Sequence, residues 1–451
     1  MNGKQLRPYQ LQHLAYHLSS DRTINTSAPS TGKTPTVCVY MKLKWEHEGK
    51  KSVFVMPTSL FGKNKQEVMD WTDWDENEVE ILDGGLNERK AIYEREEVKC
   101  FIMSFDCFAK EWNLLPKDVD CVIIDEFHLG YSTHDSKRTK AYYCSSRRFK
   151  HYIIMTGTIV NGRYSSAYPA IAIIEPRYYL NYDNFLRYHG IFDEKYGGVV
   201  GWRNPEKLKA ILQRHSCGIS VKEAYKDRKE DIIIYEKCRL NPKQLRAYKE
   251  MEEYAMAELE DGYIDARSGG GGVKQMRCRQ ILCCPEALDI NVDWNGRDES
   301  LSIHLQDCVD YKKQILIYSV FEAEQNRIVN LCKKKGLRVG LINGTVSAKE
   351  RSRLDVDFRE GRIDVMVGSP ATCSIGFNWE HVDKIIFTSC DYQDGTFEQS
   401  IARGNRGTRK ECLRVYILDY GTRVEKRIMQ IIKRKSEESK KIRWHLCQNV
   451  S

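Results

Sequence analysis

Short apolar runs alternate along this chain with longer stretches of helical periodicity. The runs are continuous and rich in β-branched residues, at 52–56, 100–104, 121–125 and 152–155, and then at 314–318, 337–342, 363–368, 384–388 and 415–418. Continuous apolar runs are typical of strands in a parallel sheet that helices cover on both faces. We therefore predict an α/β protein with two parallel-sheet domains.

A different kind of segment separates the two blocks. Residues 160–235 are rich in aromatic side chains, 240–262 have helical periodicity, and 269–272 are four consecutive glycines. We place domain 1 at 1–235, with the aromatic part as a helical extension, and domain 2 at 236–451, beginning with a helical segment. The glycine tract is expected to form a mobile loop. The aromatic side chains fit core packing better than stacking on unpaired bases, although both remain possible.

The composition excludes several classes of protein. Hydrophobic residues make up 41% of the 451 residues, enough for a buried core, so wholesale disorder is excluded. No apolar run approaches the ~20 residues that cross a bilayer, so no membrane partner is expected. The first residues lack the apolar centre of a secretion signal, which indicates a cytoplasmic protein. The sixteen cysteines are scattered, as free thiols are, and the group at Cys278, Cys283 and Cys284 lacks the C-x-x-C pairs of a zinc site.

The charge balance is modestly basic. Subtracting 63 acidic from 71 basic residues gives a net charge of +8, which permits a polyanionic partner without requiring one. The tract KRKSEESKKIR at 433–443 is the most basic part of the chain and extends a helix with one apolar face. This tract fits contact with a phosphate backbone and fits a solvated helix equally well.

The segment SAPSTGKT at 27–34 has the composition of a phosphate-binding loop. Small residues allow backbone N–H groups to surround phosphate oxygens at the start of a helix. Lys33 fits the β- and γ-phosphates, Thr34 fits a bound Mg²⁺, and Gly32 allows the turn. Ser27 replaces the first glycine of the usual pattern, so a chance match remains open for this segment taken alone.

A second segment strengthens this interpretation. The apolar run at 121–125 ends in Asp125, which Glu126 follows directly. In nucleotide-hydrolysing enzymes an aspartate at the end of a strand holds Mg²⁺, and an adjacent glutamate polarises the attacking water. An Asp-Glu pair is common by chance, but the two segments together favour a nucleotide site.

A third segment, QSIARGNRG at 399–407, contains two arginines three positions apart. On a helix, Arg403 and Arg406 share one face. Two guanidinium groups on one face could reach a phosphate across a cleft, although a solvated basic turn would have the same sequence.

In their order and spacing, these segments resemble the motifs of superfamily-two helicases and translocases of the DExH type. The resemblance extends over nearly the whole chain. The complete set of matching motifs, including the three segments above, is LRPYQ at 6–10 (the adenine-reading motif), STGKT at 30–34 (motif I), PT at 57–58 (Ia), DEFH at 125–128 (II), TGT at 156–158 (III), SIGFN at 374–378 (V) and QSIARGNR at 399–406 (VI).

This resemblance implies two RecA-like domains in tandem, an ATP cleft between them, and ATP and Mg²⁺ as cofactors. It implies nucleotide contacts by Arg7, Gln10, Ser30, Thr31, Gly32, Lys33, Thr34, Asp125 and Gly376, with Thr34 and Asp125 on the metal. The residues implied in hydrolysis are Glu126, Gln399, Arg403 and Arg406. Nucleic acid is expected on the face opposite the nucleotide, at Pro57, Thr58, Ser104, Asn343, Gly344 and Thr372.

Within the superfamily, several segments resemble Swi/Snf-type translocases, among them MTGTIVNG, LNPKQLRAYKEM and RQILCCP at 279–285. The chain lacks the large extra regions of chromatin remodellers, so it also resembles compact, phage-encoded branch-migration helicases of the UvsW type. This implies ATP-dependent remodelling of forked or four-way DNA, in recombination or repair, in the cytoplasm (that of the host if the protein is phage-encoded). The oligomeric state is left open, with a monomer favoured. An RNA helicase, or a DNA-binding recruiting module without unwinding activity, is the alternative.

Overall fold

The computed structural model describes residues 4–160, 163–195, 197–259, 262–373, 376–392, 394–405, 409 and 411–446. The chain divides into two compact units, residues 1–226 with 435–451 (unit 1) and residues 227–434 (unit 2). The predicted boundary after residue 235 falls inside a strand, Ile232–Lys237, that pairs with Arg414–Asp419. The boundary therefore lies earlier than predicted, because this strand belongs to the sheet of unit 2.

Unit 1 is built on a parallel sheet of seven strands. Their order across the sheet is Val79–Ile81, Cys100–Met103, Lys51–Val55, Val119–Ile124, His151–Met155, Arg22–Asn25 and Ser216–Cys217. All four strands predicted in the first half are confirmed, with small shifts at their ends. Their side chains are buried on both faces, as at Val53 and Phe54, which explains why these runs are continuous. The strands of unit 1 are β1 (Arg22–Asn25), β2 (Lys51–Val55), β3 (Val79–Ile81), β4 (Cys100–Met103), β5 (Val119–Ile124), β6 (His151–Met155), β7 (Gly190–Phe192), β8 (Val199–Trp202) and β9 (Ser216–Cys217).

Helices connect these strands in the alternation that the sequence predicts. They are α1 (Pro8–Ser19), α2 (Lys33–Glu48), α3 (Phe61–Thr72), α4 (Leu86–Tyr93), α5 (Phe105–Glu111), α6 (Phe127–Gly130), α7 (Lys137–Ser145), α8 (Tyr168–Ile174), α9 (Tyr182–His189), α10 (Pro205–Arg214) and α11 (Val221–Ala224). Short 3₁₀ turns cover Thr58–Leu60 and Tyr164–Ala167.

The aromatic segment of unit 1 mainly contributes to the core. Tyr164 stacks on Trp202 with ring centroids 5.5 Å apart, and Phe185 is fully buried among them. Other members, such as Tyr178 and Phe192, are exposed. The segment is less helical than predicted, because β7 and β8 form an antiparallel hairpin within it.

Unit 2 contains a parallel sheet of six strands. Their order across the sheet is Ile232–Lys237, Arg414–Asp419, Lys384–Phe387, Ile315–Tyr318, Val365–Gly368 and Val339–Ile342. Ile315 and Ile317 belong to one hydrophobic core cluster, whereas Leu316 and Tyr318 belong to another. Because alternate side chains of a strand point to opposite faces, both faces of this sheet are covered. The strands of unit 2 are β10 (Ile232–Lys237), β11 (Met256–Leu259), β12 (Gly262–Asp265), β13 (Ile315–Tyr318), β14 (Val339–Ile342), β15 (Val365–Gly368), β16 (Lys384–Phe387) and β17 (Arg414–Asp419).

The helices of unit 2 are α12 (Pro242–Tyr254), α13 (Gly270–Cys283), α14 (Gly296–Tyr311), α15 (Glu322–Lys334), α16 (Ala348–Arg359), α17 (Pro370–Cys373) and α18 (Asp394–Gly404), with a 3₁₀ turn at Pro285–Leu288; α19 (Arg423–Leu446) begins in unit 2 and continues past residue 434 into the residues of unit 1. Two predictions are corrected here. The helix predicted over 240–262 ends at Tyr254, and an antiparallel hairpin of β11 and β12 follows it. The glycine tract opens α13 instead of forming a loop, because Ile281 and Leu282 further along that helix are buried in the core.

Within the described part of the chain, no helix is both long and apolar enough to cross a membrane.

Candidate nucleotide and nucleic-acid sites

The predicted phosphate loop connects β1 to α2, at the carboxyl end of a parallel strand and the start of a helix. Ser30 and Gly32 have positive φ angles of 66° and 79°. A Cβ atom on Gly32 would lie 2.7 Å from the Nε2 atom of Gln10, so this position requires glycine for two reasons. The local structure is therefore the strand–loop–helix arrangement that a phosphate site needs.

Three successive carbonyl groups of this loop each accept a hydrogen bond from a side chain elsewhere in unit 1. In a planar trans peptide the N–H points away from the C=O. Fixing the carbonyl groups in this way also fixes the directions of the loop amides that would bind phosphate. The three bonds run from Tyr225 Oη to Ser30 O (2.9 Å), from Tyr9 Oη to Thr31 O (2.6 Å) and from Gln10 Nε2 to Gly32 O (2.8 Å).

Lys33 holds the other end of the loop. Its Nζ atom donates to Ser27 O at 2.9 Å and to Ala28 O at 3.3 Å. The Ser27 hydroxyl is buried and lacks a hydrogen-bond partner within the described residues. A lysine ammonium and an unsatisfied buried hydroxyl in a loop of small residues fit the phosphates of ATP, which would supply acceptor oxygens for both.

Asp125 and Glu126 lie directly after β5. The N–H of Asp125 donates to Val55 O at 2.8 Å, which anchors the pair to the neighbouring strand. Burial and, after it, the adjacent Glu126 carboxylate raise the pKa of Asp125 to about 6, against the opposing effect of the positive charge of Lys33. A buried carboxylate of this kind has the oxygen donors that Mg²⁺ prefers. Glu126 has a φ angle of +47°, a costly conformation for a non-glycine residue and one that is concentrated at functional sites.

The TGT segment at 156–158 links these carboxylates to the phosphate loop. The Nδ1 atom of His128 lies 3.0 Å from Thr156 Oγ1 and 3.6 Å from Glu126 Oε2. A Cβ atom on Gly157 would lie 3.0 Å from the Cδ atom of Pro29 in the loop. The sequence identified this segment by its resemblance to motif III, but it did not show these contacts.

Arg7, Tyr9 and Gln10 surround the start of α1. The guanidinium carbon of Arg7 lies 4.7 Å from the centroid of the Tyr225 ring, and Arg7 Nη1 donates to Tyr9 Oη at 3.4 Å. Gln10 accepts from Arg7 N at 2.8 Å while its Nε2 atom donates to the loop. The predicted contacts of these residues with adenine remain predictions. Sequence reasoning missed Tyr225, because no motif marks a residue 195 positions from Ser30.

The predicted nucleic-acid contacts of unit 1 lie along the same sheet edge as the nucleotide residues. Pro57 and Thr58 follow β2, and Ser104 follows β4, where its hydroxyl caps α5 by accepting from Cys107 N at 3.1 Å. Since β4, β2 and β5 are consecutive in the sheet, these loops stand beside Asp125. Parallel strands end at one common edge, so in unit 1 the residues predicted for nucleic acid and those predicted for the nucleotide share that edge, and the face that nucleic acid occupies remains a prediction.

In unit 2, Asn343 and Gly344 follow β14, and Thr372 lies just after the neighbouring β15. The Asn343 side chain is buried, and its amide donates to Gln325 Oε1 at 3.0 Å while its oxygen accepts from Thr345 N at 3.0 Å. The side chain thus orders the turn, and the contact of Asn343 with nucleic acid remains a prediction. The exposed Gly344 is the better candidate for a backbone contact.

Arg403 is buried at the end of α18. Its Nε atom donates to Gln399 O at 3.3 Å, and its Nη1 atom donates to Phe377 O at 3.2 Å, directly after Gly376. Arg406, with Ser374 and Ile375, lies outside the described residues. The roles of Gly376, Gln399, Arg403 and Arg406 toward the nucleotide remain predictions.

Comparison with known proteins supports a helicase architecture. The family model "Type III restriction enzyme, res subunit" matches residues 3–161, and the "Helicase conserved C-terminal domain" matches residues 299–408. An "Uncharacterized ATP-dependent helicase" of Mycoplasma pneumoniae is 20% identical over 400 residues, which cover 87% of this chain and 37% of the relative. The "Probable ATP-dependent DNA helicase CHR12" of Arabidopsis thaliana is 22% identical over 477 residues, which cover 96% and 42%. The chain thus spans less than half the length of these two relatives.

Among solved structures, Dbp5 of S. cerevisiae, bound to RNA and ADP BeF3, has the same fold. Its TM-score is 0.58 at 12% identity, over 98% of this chain and 94% of Dbp5. The two parallel α/β units are tandem RecA-like domains; the res-subunit model matches within unit 1 and the helicase C-terminal model within unit 2. Over most of its length the chain is therefore similar to ATP-dependent helicases.

Proposed function

We propose that this protein is an ATP-dependent DNA translocase or helicase that remodels branched DNA, such as forks and four-way junctions. The observation that carries this proposal is the carboxyl edge of the unit 1 sheet. There the phosphate loop and the Asp125–Glu126 pair stand beside the loops at Pro57 and Ser104 that are proposed to contact nucleic acid.

In this proposal each residue of the nucleotide site has a definite task. Lys33 neutralises the β- and γ-phosphates, and the loop amides bind their oxygens. Thr34 and Asp125 would hold Mg²⁺, which supplies further positive charge to the transferring phosphoryl group. Glu126 accepts a proton from the attacking water, and its contact with His128 orients the carboxylate.

The proposed nucleic-acid contacts suit a motor. Gly344 and Thr58 are exposed, and loops of this kind contact phosphate and sugar rather than base edges. Such contacts carry no sequence information, so a protein can pass along any strand. DNA is favoured over RNA by the Swi/Snf-like segments and by the name of the Arabidopsis relative. Branched DNA is the proposed substrate because of the likeness to compact branch-migration helicases.

The test is a comparison of ATP hydrolysis with blunt duplex, single-stranded DNA, RNA, a fork and a four-way junction, together with strand displacement on the last two. We expect DNA to stimulate hydrolysis, with the largest effect and strand displacement on the branched substrates. Lys33→Ala should abolish turnover, because the charge on the phosphates is lost, while DNA binding persists. Stimulation by RNA instead of DNA would indicate an RNA helicase. DNA binding without stimulated hydrolysis would indicate a recruiting module.

A further inference from the structure

The segment at 216–225 runs alongside the phosphate loop. Its strand β9 is parallel to β1, with Ser216 opposite Ile24. Beyond the strand, the N–H of Ala28 in the loop donates to Ile219 O at 2.9 Å. A Cβ atom on Gly218 would lie 2.5 Å from Thr26 Oγ1, so the approach is close enough to require glycine. The loop is thus packed against a segment that none of the recognised motifs includes.

A capped turn fixes the end of this segment. The Ser220 hydroxyl accepts from Glu223 N at 3.2 Å, and the Glu223 carboxylate accepts from Ser220 N at 2.9 Å. This reciprocal pair is a capping box, which defines where the short helix α11 begins. Tyr225 follows α11 directly, so its backbone position is set by the segment that contacts the loop.

Tyr225 makes two contacts at different parts of the nucleotide site. Its hydroxyl donates to the carbonyl of Ser30, a non-glycine residue with a positive φ angle. Its ring lies under the guanidinium group of Arg7, in cation–π geometry, at the end of the site predicted to face adenine. The first contact stabilises an unfavourable backbone conformation in the phosphate loop, and the second limits where Arg7 can move.

We propose that Tyr225 is a positioning residue for ATP. It holds the Ser30 peptide in the conformation that directs the loop amides to the phosphates, and it holds Arg7 beside the base. This inference rests on the part of the proposed function that assigns ATP to the phosphate loop, and it is independent of which nucleic acid stimulates hydrolysis.

The test separates the two contacts and compares them with a matched control. Tyr225→Phe removes the bond to Ser30 and keeps the ring under Arg7, whereas Tyr225→Leu removes both. Tyr16→Phe is the control, because the Tyr16 hydroxyl also donates to a main-chain carbonyl at 2.9 Å, that of Arg214, outside the phosphate loop. For each variant the measurements are KM and kcat for ATP, the Kd of ATP, the preference for ATP over GTP, and the thermal midpoint.

We expect Tyr225→Phe to raise KM and Kd for ATP by about two- to tenfold, the loss of one neutral hydrogen bond, with kcat nearly unchanged. Tyr225→Leu should raise them further and should also lower the preference for ATP over GTP, because Arg7 is no longer held. Tyr16→Phe should lower the thermal midpoint as much as Tyr225→Phe does while leaving KM unchanged.

The proposal is overturned if Tyr225→Phe keeps the wild-type KM and Kd, or if Tyr16→Phe raises them equally. Tyr225→Leu with an unchanged preference for ATP over GTP would overturn the part that concerns Arg7. If the wild type binds ATP without hydrolysing it, the proposed function fails. The role of Tyr225 is then decided by the Kd values alone, so the two failures are distinguishable.

Discussion

Gly32 combines two constraints in one residue of the phosphate loop. Its φ angle of +79° is unfavourable for any side chain, and a Cβ atom there would press on the Gln10 amide. We expect Gly32→Ala to destabilise the fold by about 1 kcal/mol through the backbone. We also expect it to weaken ATP binding at least tenfold, because the bond from Gln10 to the loop is lost. Urea unfolding and calorimetric titration with ATP would measure the two effects.

The glycine at the other end of helix α2 provides the control for this prediction. Gly49 has a φ angle of +63° and no atom within 4 Å of an added Cβ atom. Gly49→Ala should therefore cost similar stability while ATP affinity stays at the wild-type value. Equal losses of ATP affinity in both variants would mean that strain alone, and not the contact with Gln10, explains the effect.

At the scale of single residues, the sequence predicts what a local pattern encodes. The positions of Lys33 and Asp125 relative to a strand and a helix follow from short segments, and the structure places Lys33 at the start of α2 and Asp125 directly after β5. Tyr225 and the pair of His128 with Thr156 depend on contacts between distant segments, for which one sequence contains no signal. The resemblance to helicases implied a nucleic-acid contact near Asn343 without showing that its buried side chain bonds to Gln325 and to Thr345.

At the scale of elements, helix α1 has a buried face with two histidines four positions apart, His13 and His17. The Nδ1 atom of His17 lies 2.7 Å from the Thr23 hydroxyl on β1. Burial lowers the pKa of His17 to about 3 and that of His13 to about 4. Below the unfolded-state pKa of about 6.5, the unfolded chain therefore binds more protons than the folded chain, and stability falls as the pH falls.

We expect His13 and His17 together to lower the free energy of unfolding by about 2–3 kcal/mol between pH 7.5 and pH 5.5, about 1.4 kcal/mol for each histidine. Urea unfolding of the wild type and the variants at the two pH values measures this contribution. His17→Gln should make the loss of stability about 1.4 kcal/mol smaller, whereas His47→Gln, on the exposed part of α2, should leave it as in the wild type. A His17→Gln protein with the same pH dependence as the wild type would contradict the prediction.

Elements were predicted well where hydrophobic pattern and burial agree and poorly where packing overrides local preference. The parallel strands are continuous apolar runs because both of their faces are covered, so their positions follow from sequence. The glycines at 270–272 have a low helix propensity. They are nevertheless helical, because the residues that follow them bury α13 against the core. The hairpin after Tyr254 has an Asp-Gly turn signal at 261–262, but the residues before it continue the helical periodicity, so the predicted helix was extended over β11.

At the scale of the whole molecule, the two predicted RecA-like domains are confirmed, but the limits of each unit depend on pairing across a long sequence distance. Strand β10 joins unit 2 because it pairs with β17, the last strand of the chain. A pattern of apolar residues identifies a strand without identifying its partner. The boundary was therefore placed within β10, where the composition changes, and not before it.

The predicted contribution of unit 2 to hydrolysis is tested by Arg403→Ala and Arg406→Ala, made singly. Both arginines belong to the unit 2 sequence, whereas Lys33 and Asp125 belong to unit 1. An arginine on the transferring phosphoryl group is worth about 10³–10⁵ in turnover in related enzymes. Allowing for partial redundancy, we expect each substitution to reduce ATP turnover at least about tenfold, while affinity for ATP and for DNA changes little.

The structure adds a difference between these two variants. Arg403 is buried and donates to two main-chain carbonyl groups within unit 2, at Gln399 and Phe377. Its removal should therefore also cost about 1–3 kcal/mol of stability, since these acceptors lose a charged donor. Arg414, at the amino end of β17, forms an ion pair with Asp383. Arg414→Ala is the control, because it also removes one positive charge from unit 2. It should keep full turnover.

If instead Arg403→Ala and Arg406→Ala lose DNA binding and keep DNA-independent hydrolysis, the arginines contact nucleic acid. Hydrolysis would then depend on unit 1 alone.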